Sequence, residues 1–227
     1  MRTDWQAFVD EVTWFPPAGA VVDVGPTRAP GEWNAADADF GRLFPNLHRL
    51  LTRARVTPVS VDGEALLLFT WLAGDESRAW LAPSPVAAPG AGIFSSHVTL
   101  LRSFGGIVER REPLESWLLN QEEVLTEREA QQGASFVRDD YGWAFESVGG
   151  KIPVDLDALY SVAREANGNH TFCDRTNGKI LLFAPDHDFT HVTPLAGCPD
   201  YTLYELEGAP RFEAWVELVA QQWLEGV

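Results

Sequence analysis

The stretch Asp186-His187-Asp188-Phe189-Thr190-His191 gathers two imidazoles and two carboxylates, the groups that ligate zinc or shuttle protons. Its spacing matches neither a His-Glu-x-x-His helix nor the paired cysteines of structural zinc. Neighbouring side chains diverge on a tight turn, so the stretch reads as a solvated turn. A metal site and a partner contact are the alternatives. A small metal-dependent hydrolase using Asp186, His187, Asp188 and His191 is the enzymatic reading. His170, Cys173 and Cys198 would be its further ligands. On a strand, Cys173 faces away from both His170 and Asp174, as a buried structural thiol would. No base lies beside it in sequence to make a nucleophile. Ser95-Ser96-His97 lacks the Gly-x-Ser-x-Gly frame of a nucleophile elbow and reads as a helix cap. Gly105-Gly106 lacks the Gly-Lys-Ser/Thr of a phosphate loop and reads as a helix stop. No catalytic set, metal site or cofactor is expected.

A second constellation suits binding rather than catalysis. Asp139, Asp140, Tyr141, Trp143 and Glu146 interleave acids with aromatics over eight residues. Interfaces favour aromatic anchors with a charged surround. The same residues also read as core aromatics, Trp143 with Phe145, beside a solvated acidic loop.

Charge narrows the partners. The 227 residues carry 33 acidic and 17 basic side chains, for a net of −16. Residues 101–227 hold 22 acidic and 10 basic ones, a net of −12. A nucleic-acid binder needs a basic patch to displace counterions, and an anionic membrane would repel this chain. A basic protein would be steered toward it. The basic set is 15 Arg and 2 Lys, Lys151 and Lys179, which reads as codon bias. Two cysteines make no disulfide framework and are expected to be reduced. No signal-peptide stretch, apolar span or lipidation signal is visible, which predicts a cytoplasmic protein, a monomer or weak homodimer.

The elements follow from periodicity. Thr3 and Gln6 stand at capping-box spacing before Trp5, Phe8, Val9 and Val12, a helix that Pro16-Pro17 ends. Ala20 to Val24 reads as a strand and Gly25 to Glu32 as a loop. A helix is expected over Asn46 to Arg55. Val56 to Val61 and Glu64 to Leu72 flank Asp62-Gly63, a type I′ hairpin signal. Residues 78–81 read as another strand. The Pro- and Gly-rich stretch 83–92 is a linker or a long surface loop. A short helix with Val98, Leu100, Leu101 and Phe104 follows. Strands are then expected at Ile107-Val108, Trp117 to Leu119, Ser135 to Val137, Gly142 to Phe145 and Ile152 to Val154. A helix is expected over Glu122 to Gln132. Leu159 to Ala163, His170 to Cys173 and Lys179 to Phe183, joined by Asn167-Gly168 and Asn177-Gly178, form an antiparallel meander. Thr202 to Leu206 adds a strand. Phe212, Trp215, Val216, Val219 and Trp223 form a helical stripe between Pro210 and Gly226. The fold class is α+β, a twisted and mainly antiparallel sheet with helices packed on it.

Three features of residues 92–227 resemble the SMI1/KNR4 (SUKH) superfamily. One is the apolar helix running into a glycine pair, Val98 to Ile107. Another is the meander from Tyr160 to Phe183, ending in the turn Asp186-His187-Asp188. The third is the closing helix Arg211-Phe212-Glu213-Ala214-Trp215-Val216. The chain departs from the family in lacking a Leu-Pro helix entry before Val98 and in carrying an insertion-like stretch from Gly197 to Gly208. The resemblance implies an SMI1/KNR4-like domain over 91–227; it does not explain residues 1–90, which are expected as an N-terminal α/β segment packed onto the same core. It implies a non-enzymatic binding protein. Bacterial members act as immunity proteins that neutralise a cognate toxin, often a nuclease; fungal relatives regulate cell-wall synthesis and signalling. A regulatory or scaffold role on the same fold is therefore the alternative.

Overall fold

A computed structural model describes residues 2–111, 122–186 and 190–225. The chain opens with helix α1 (Asp4–Glu11), where the Thr3 hydroxyl accepts from the Gln6 amide. The expected cap is therefore half present, because the Gln6 side chain turns to Asp10 instead. Strand β1 (Val22–Val24), helices α2 (Phe40–Leu43) and α3 (Pro45–Arg53), and strands β2 (Arg55–Val61), β3 (Glu64–Ala73) and β4 (Glu76–Pro83) follow. Helix α4 (Ser95–Leu101) leads to β5 (Glu109–Arg111), β6 (Glu123–Val124), α5 (Glu127–Ala130) and α6 (Phe136–Asp139). Strands β7 (Leu159–Arg164), β8 (His170–Asp174), β9 (Ile180–Phe183), β10 (Val192–Pro194) and β11 (Leu203–Leu206) precede the last helix, α7 (Phe212–Glu225).

The α+β class holds, but the described strands divide into two antiparallel sheets. The first runs β1-β2-β3-β4-β5 and the second β10-β11-β9-β8-β7-β6. The β2–β3 hairpin turns on Asp62 (φ 51°) and Gly63 (φ 86°), the two left-handed residues that a type I′ turn requires. Strand alternation gives the first sheet two apolar faces. Val59, Val61, Leu66, Leu68 and Leu81 meet Trp5, Phe8 and Val12 of the α1 segment. Val56, Phe69, Trp71 and Trp80 face α3 and α7 in the main core. That core also takes Tyr160, Val162, Cys173, Ile180 and Leu182 from the second sheet. The outer face of the second sheet, Leu159, Phe172, Leu181 and Phe183, is covered by Ala134, Val137, Phe145 and Leu156.

Helix α7 bonds to the N-terminal half from its middle and from its last turn. The α3 N-terminus has Phe44 at its cap position and so no side-chain oxygen for its free amides. Glu217 of α7 supplies one instead, accepting from Asn46 N at 2.8 Å and Leu47 N at 3.2 Å. In the last turn of α7, the Trp223 carbonyl accepts from Trp71 Nε1 and Arg78 Nη1, each at 3.2 Å.

Among the described residues, a backbone bridge also joins the two sheets. Ile107 and Val124 exchange backbone hydrogen bonds of 2.7 and 2.9 Å, and Val108 N donates to Leu81 O. Gly105-Gly106 carries the chain into this seam. A Cβ on Gly105 would lie 2.7 Å from the Pro83 carbonyl carbon, and one on Gly106 would lie 2.6 Å from the backbone of Leu125. Gly106 also has φ +90°, which side chains rarely adopt. The helix already ends at Leu101, with Arg102 as its C-cap, so the pair does not stop α4 as the sequence suggests; it lets two backbones touch.

Several local expectations are corrected. Ser135 to Val137 and Gly142 to Phe145 are not strands; they lie in α6 and a 3₁₀ helix over Gly142–Val148. Ile152 to Val154 forms no strand. Glu122 to Gln132 splits into β6 and α5. Ile107 makes only an isolated bridge, and the paired strand starts at Glu109. Ser95 and Ser96 do not cap α4, whose cap position is Phe94; the Ser96 hydroxyl donates to Glu213 of α7. The Trp117 to Leu119 strand and the Gly226 stop lie outside the described residues. The meander β7-β8-β9 is present with the expected pairing. The 83–92 stretch is a loop held by Val86 N to Leu101 O and Gly90 N to Glu127 Oε1.

Two predictions follow from this packing. Gly105→Ala should lower stability by about 3 kcal/mol or more in urea denaturation, since backbone must move to admit the methyl. Gly133→Ala, with nothing within 4 Å of the added carbon, should change it by about 0.5 kcal/mol or less. The second concerns His97, buried between Tyr160 and Phe212 with hydrogen bonds to Tyr160 Oη and Leu125 O. Burial pushes its pKa from 6.5 down to about 4, against a raising contribution from the Leu125 carbonyl. Below pH 6.5 the unfolded chain takes up a proton that the folded one refuses. Stability should therefore fall as pH drops from 6.5 toward 4, by about 3 kcal/mol in total. A His97→Gln variant, less stable at pH 7, should lose that part of the pH dependence.

Candidate functional site

The acidic and aromatic residues singled out from the sequence sit on the layer that covers the second sheet. Its apolar residues fix the layer: Val137 and Phe145 are fully buried against Phe172 and Phe183. One turn of tight helix then dictates what faces out. Trp143 lies two residues before Phe145 and points away from the core, 67 % exposed. Asp139, Asp140 and Glu146 are exposed beside it in sequence. Tyr141 is half-buried and packs edge-on against Phe183 with ring centroids 5.0 Å apart. So Phe145 belongs to the core and Trp143 does not. Arg138 Nε approaches Asp139 Oδ1 at 3.4 Å, the one cation paired with this set among the described residues.

The Asp186–His191 stretch is only partly described, since His187, Asp188 and Phe189 lie outside the described residues. Asp186 Oδ2 accepts from Asn167 Nδ2 at 2.7 Å. His191 Nδ1 stands 3.5 Å from Glu207, across an exposed turn. Among the described residues, no three His, Cys, Asp or Glu side chains gather as metal ligands. Cys173 is buried, and burial pushes its thiol up to about 12, so it stays protonated. Cys198 is also free, and burial again raises its pKa.

A charged cluster that the sequence reading missed lies beside the seam. Glu123, on β6 and buried, accepts from Thr126 Oγ1 at 2.5 Å and from Arg128 Nε and Nη2 at 2.9 Å. Glu129 of α5, also buried, accepts from Ser161 Oγ at 2.5 Å and faces His170 Nδ1 at 3.6 Å and Arg164 Nε at 3.6 Å. Burial opposes the ionisation of Glu129. Hydrogen bonds from His170 and Ser161, with the charges of His170 and Arg164, outweigh it and hold the carboxyl below the usual range. Thr126 and Glu129 stand at capping-box spacing, a signal visible in the sequence, and the Thr126 hydroxyl accepts from Glu129 N at 3.0 Å.

Serine, histidine and glutamate are the residue types of a hydrolytic triad, but the geometry here is different. Ser161 Oγ and the Glu129 carboxylate both approach the same ring nitrogen, Nδ1, where a triad sets them on opposite nitrogens. Ser161 is also fully buried. The adjoining cleft, about 470 Å³, is lined by Trp14, Glu109, Arg110, Glu123, Arg128 and Arg164 among others. Opposite charges alternate along it and largely pair with each other, so it selects no ligand charge.

No family model matches the chain, and no curated protein or solved structure matches it. Among the described residues, no helix is long and apolar enough to cross a membrane. The α+β class is thus established by the architecture alone.

The cluster ties α5 to β7 and β8. Glu129→Ala should destabilise the fold by about 2–4 kcal/mol in chemical denaturation, since it removes the buried acceptor that His170, Ser161 and Arg164 share.

Proposed function

We propose that this chain is a non-enzymatic protein-binding member of the SMI1/KNR4 type, acting in the cytoplasm as an immunity-type protein against a basic toxin. The observation that carries the reading is Trp143, exposed on a packed layer with the exposed Asp139, Asp140 and Glu146 within four residues of it in sequence. An exposed tryptophan on a well-packed support is the usual form of a binding anchor. The acids would steer a basic surface toward it and suppress neutral competitors. A toxin that cleaves nucleic acid presents such a basic surface, and carboxylates can occupy positions meant for phosphates. The net of −12 over residues 101–227 supports the same partner. A single enzymatic site is not supported by the buried Ser161 or the thiol of Cys173.

Capture from a lysate of the source cell, using the full chain as bait, should recover one dominant basic protein. Trp143→Ala should weaken that complex by about 30-fold or more, the measure of a lost hot spot. Asp140→Asn should chiefly slow association and flatten its salt dependence. Both residues are exposed, so thermal denaturation should stay close to that of the unaltered chain. Capture of no basic protein at any salt concentration, or equal affinity of all three chains, would sink the reading.

A further inference from the structure

The chain carries two Asn-Gly pairs, Asn167-Gly168 and Asn177-Gly178. Such pairs are chemically labile, because a glycine amide has no Cβ to shield it from the preceding side chain. The fold treats the two differently. Around Asn177, the Asp174 carboxylate accepts from Thr176 N at 2.8 Å and Asn177 N at 3.2 Å. Asn177 Oδ1 accepts from Lys179 N at 2.8 Å, and its carbonyl accepts from Arg211 Nη2 at 2.5 Å. Gly178 is buried; its N donates to Asp174 O and its carbonyl accepts from Phe212 N. A Cβ at Gly178 would lie 2.5 Å from the Phe94 ring. The Asn177 side chain is exposed and held locally by Lys179 N, but the Gly178 backbone cannot turn without displacing the start of α7.

Asn167 is exposed on the β7–β8 loop. Its Nδ2 donates to Asp186 at 2.7 Å and its Oδ1 accepts from Asn169 N at 3.3 Å. The Gly168 amide is held only by Glu165 O at 3.1 Å, inside the same loop. Within 4 Å of a Cβ on Gly168 there is a single atom, the Tyr141 hydroxyl at 3.7 Å. Opening this loop disturbs the buried Glu165–Asn169 pair at its base but no residue of the apolar cores.

We propose that Asn167 is a site of spontaneous deamidation and that Asn177, the same dipeptide, is protected by the fold. The Gly168 nitrogen loses its proton and attacks Asn167 Cγ. A new N–Cγ bond forms, the Cγ–Nδ2 bond breaks, and ammonia leaves with the proton. Water then opens the succinimide at either carbonyl, giving aspartate or isoaspartate. No electrons are exchanged. The product replaces the donor to Asp186 with a second carboxylate, and two carboxylates at that separation repel. The loop then parts from Asp186 beside Tyr141, adding negative charge at the border of the acidic layer.

The test is peptide mapping by mass spectrometry of the full chain during incubation at mildly alkaline pH, native and in denaturant. In the native state Asn167 should convert about tenfold or more faster than Asn177, and in denaturant the two rates should converge. Equal native rates, a faster Asn177, or no native conversion at Asn167 while the denatured chain converts would overturn the proposal. Asn167→Asp should speed amide hydrogen exchange over residues 165–169 relative to the unaltered chain. Unchanged exchange there would overturn the assigned consequence.

Discussion

The structure depends on two backbones being allowed to touch. At Gly105 and Gly106 the chain passes between the end of β4 and the segment after β6 with no side chain to hold them apart. That approach brings Ile107 against Val124 and lets the edge strands of two separate sheets bond. Everything that faces the shared core is set from there: α4 on one side of the seam, β7 and the meander on the other. A seam of two backbone hydrogen bonds is weak by itself. Its hold comes from the buried aromatics packed over it from both sheets, among them Phe104, Tyr160, Trp80 and Trp223.

Much of this was readable in the sequence, and the misses have physical causes. Asp62-Gly63, the α1 stripe, the α7 stripe and the meander all rest on local chemistry, and all four are found where periodicity and turn residues place them. Residues 134–158 went the other way. Phe136, Val137, Gly142, Trp143 and Phe145 look like strand material, yet the sheet they would join already has its edges in β6 and β10. They cover its face as short helices instead, a tertiary outcome that propensity does not encode. Ser96 was readable as a cap, but its hydroxyl found Glu213 more than a hundred residues away. The division into two sheets was also hidden, because pairing partners such as Ile107 and Val124 are separated by a stretch with no turn signal between them.

The candidate surface was partly legible for the same reason. The alternation of acids and aromatics was plain, but which aromatic would be buried depended on the covering layer. Phe145 fills the space over Phe172 and Phe183, and the tight helix then turns Trp143 to the outside. The cluster of Glu123, Arg128, Glu129, Arg164 and His170, with its two carboxylates buried, is not apparent from the sequence because its members are scattered from β6 to β8 and strand pairing assembles them. Its carboxylates sit where β6 is two residues long, so side-chain bonds do there what a longer ladder would otherwise do.

Helix α7 has a meaning for the chain as it is made. It supplies the oxygen that α3 lacks at its N-terminus and receives, on its own last turn, donors from Trp71 and Arg78. These partners are synthesised well over a hundred residues earlier. Until α7 docks, the amides of Asn46 and Leu47 lack their acceptor, Arg78 keeps only its pairing with Glu76, and the inner face of the first sheet stays open to water. A chain in which α7 has not yet docked therefore leaves Trp71 and Trp80 without the cover of Trp223, and docking of this helix is the step that conceals them.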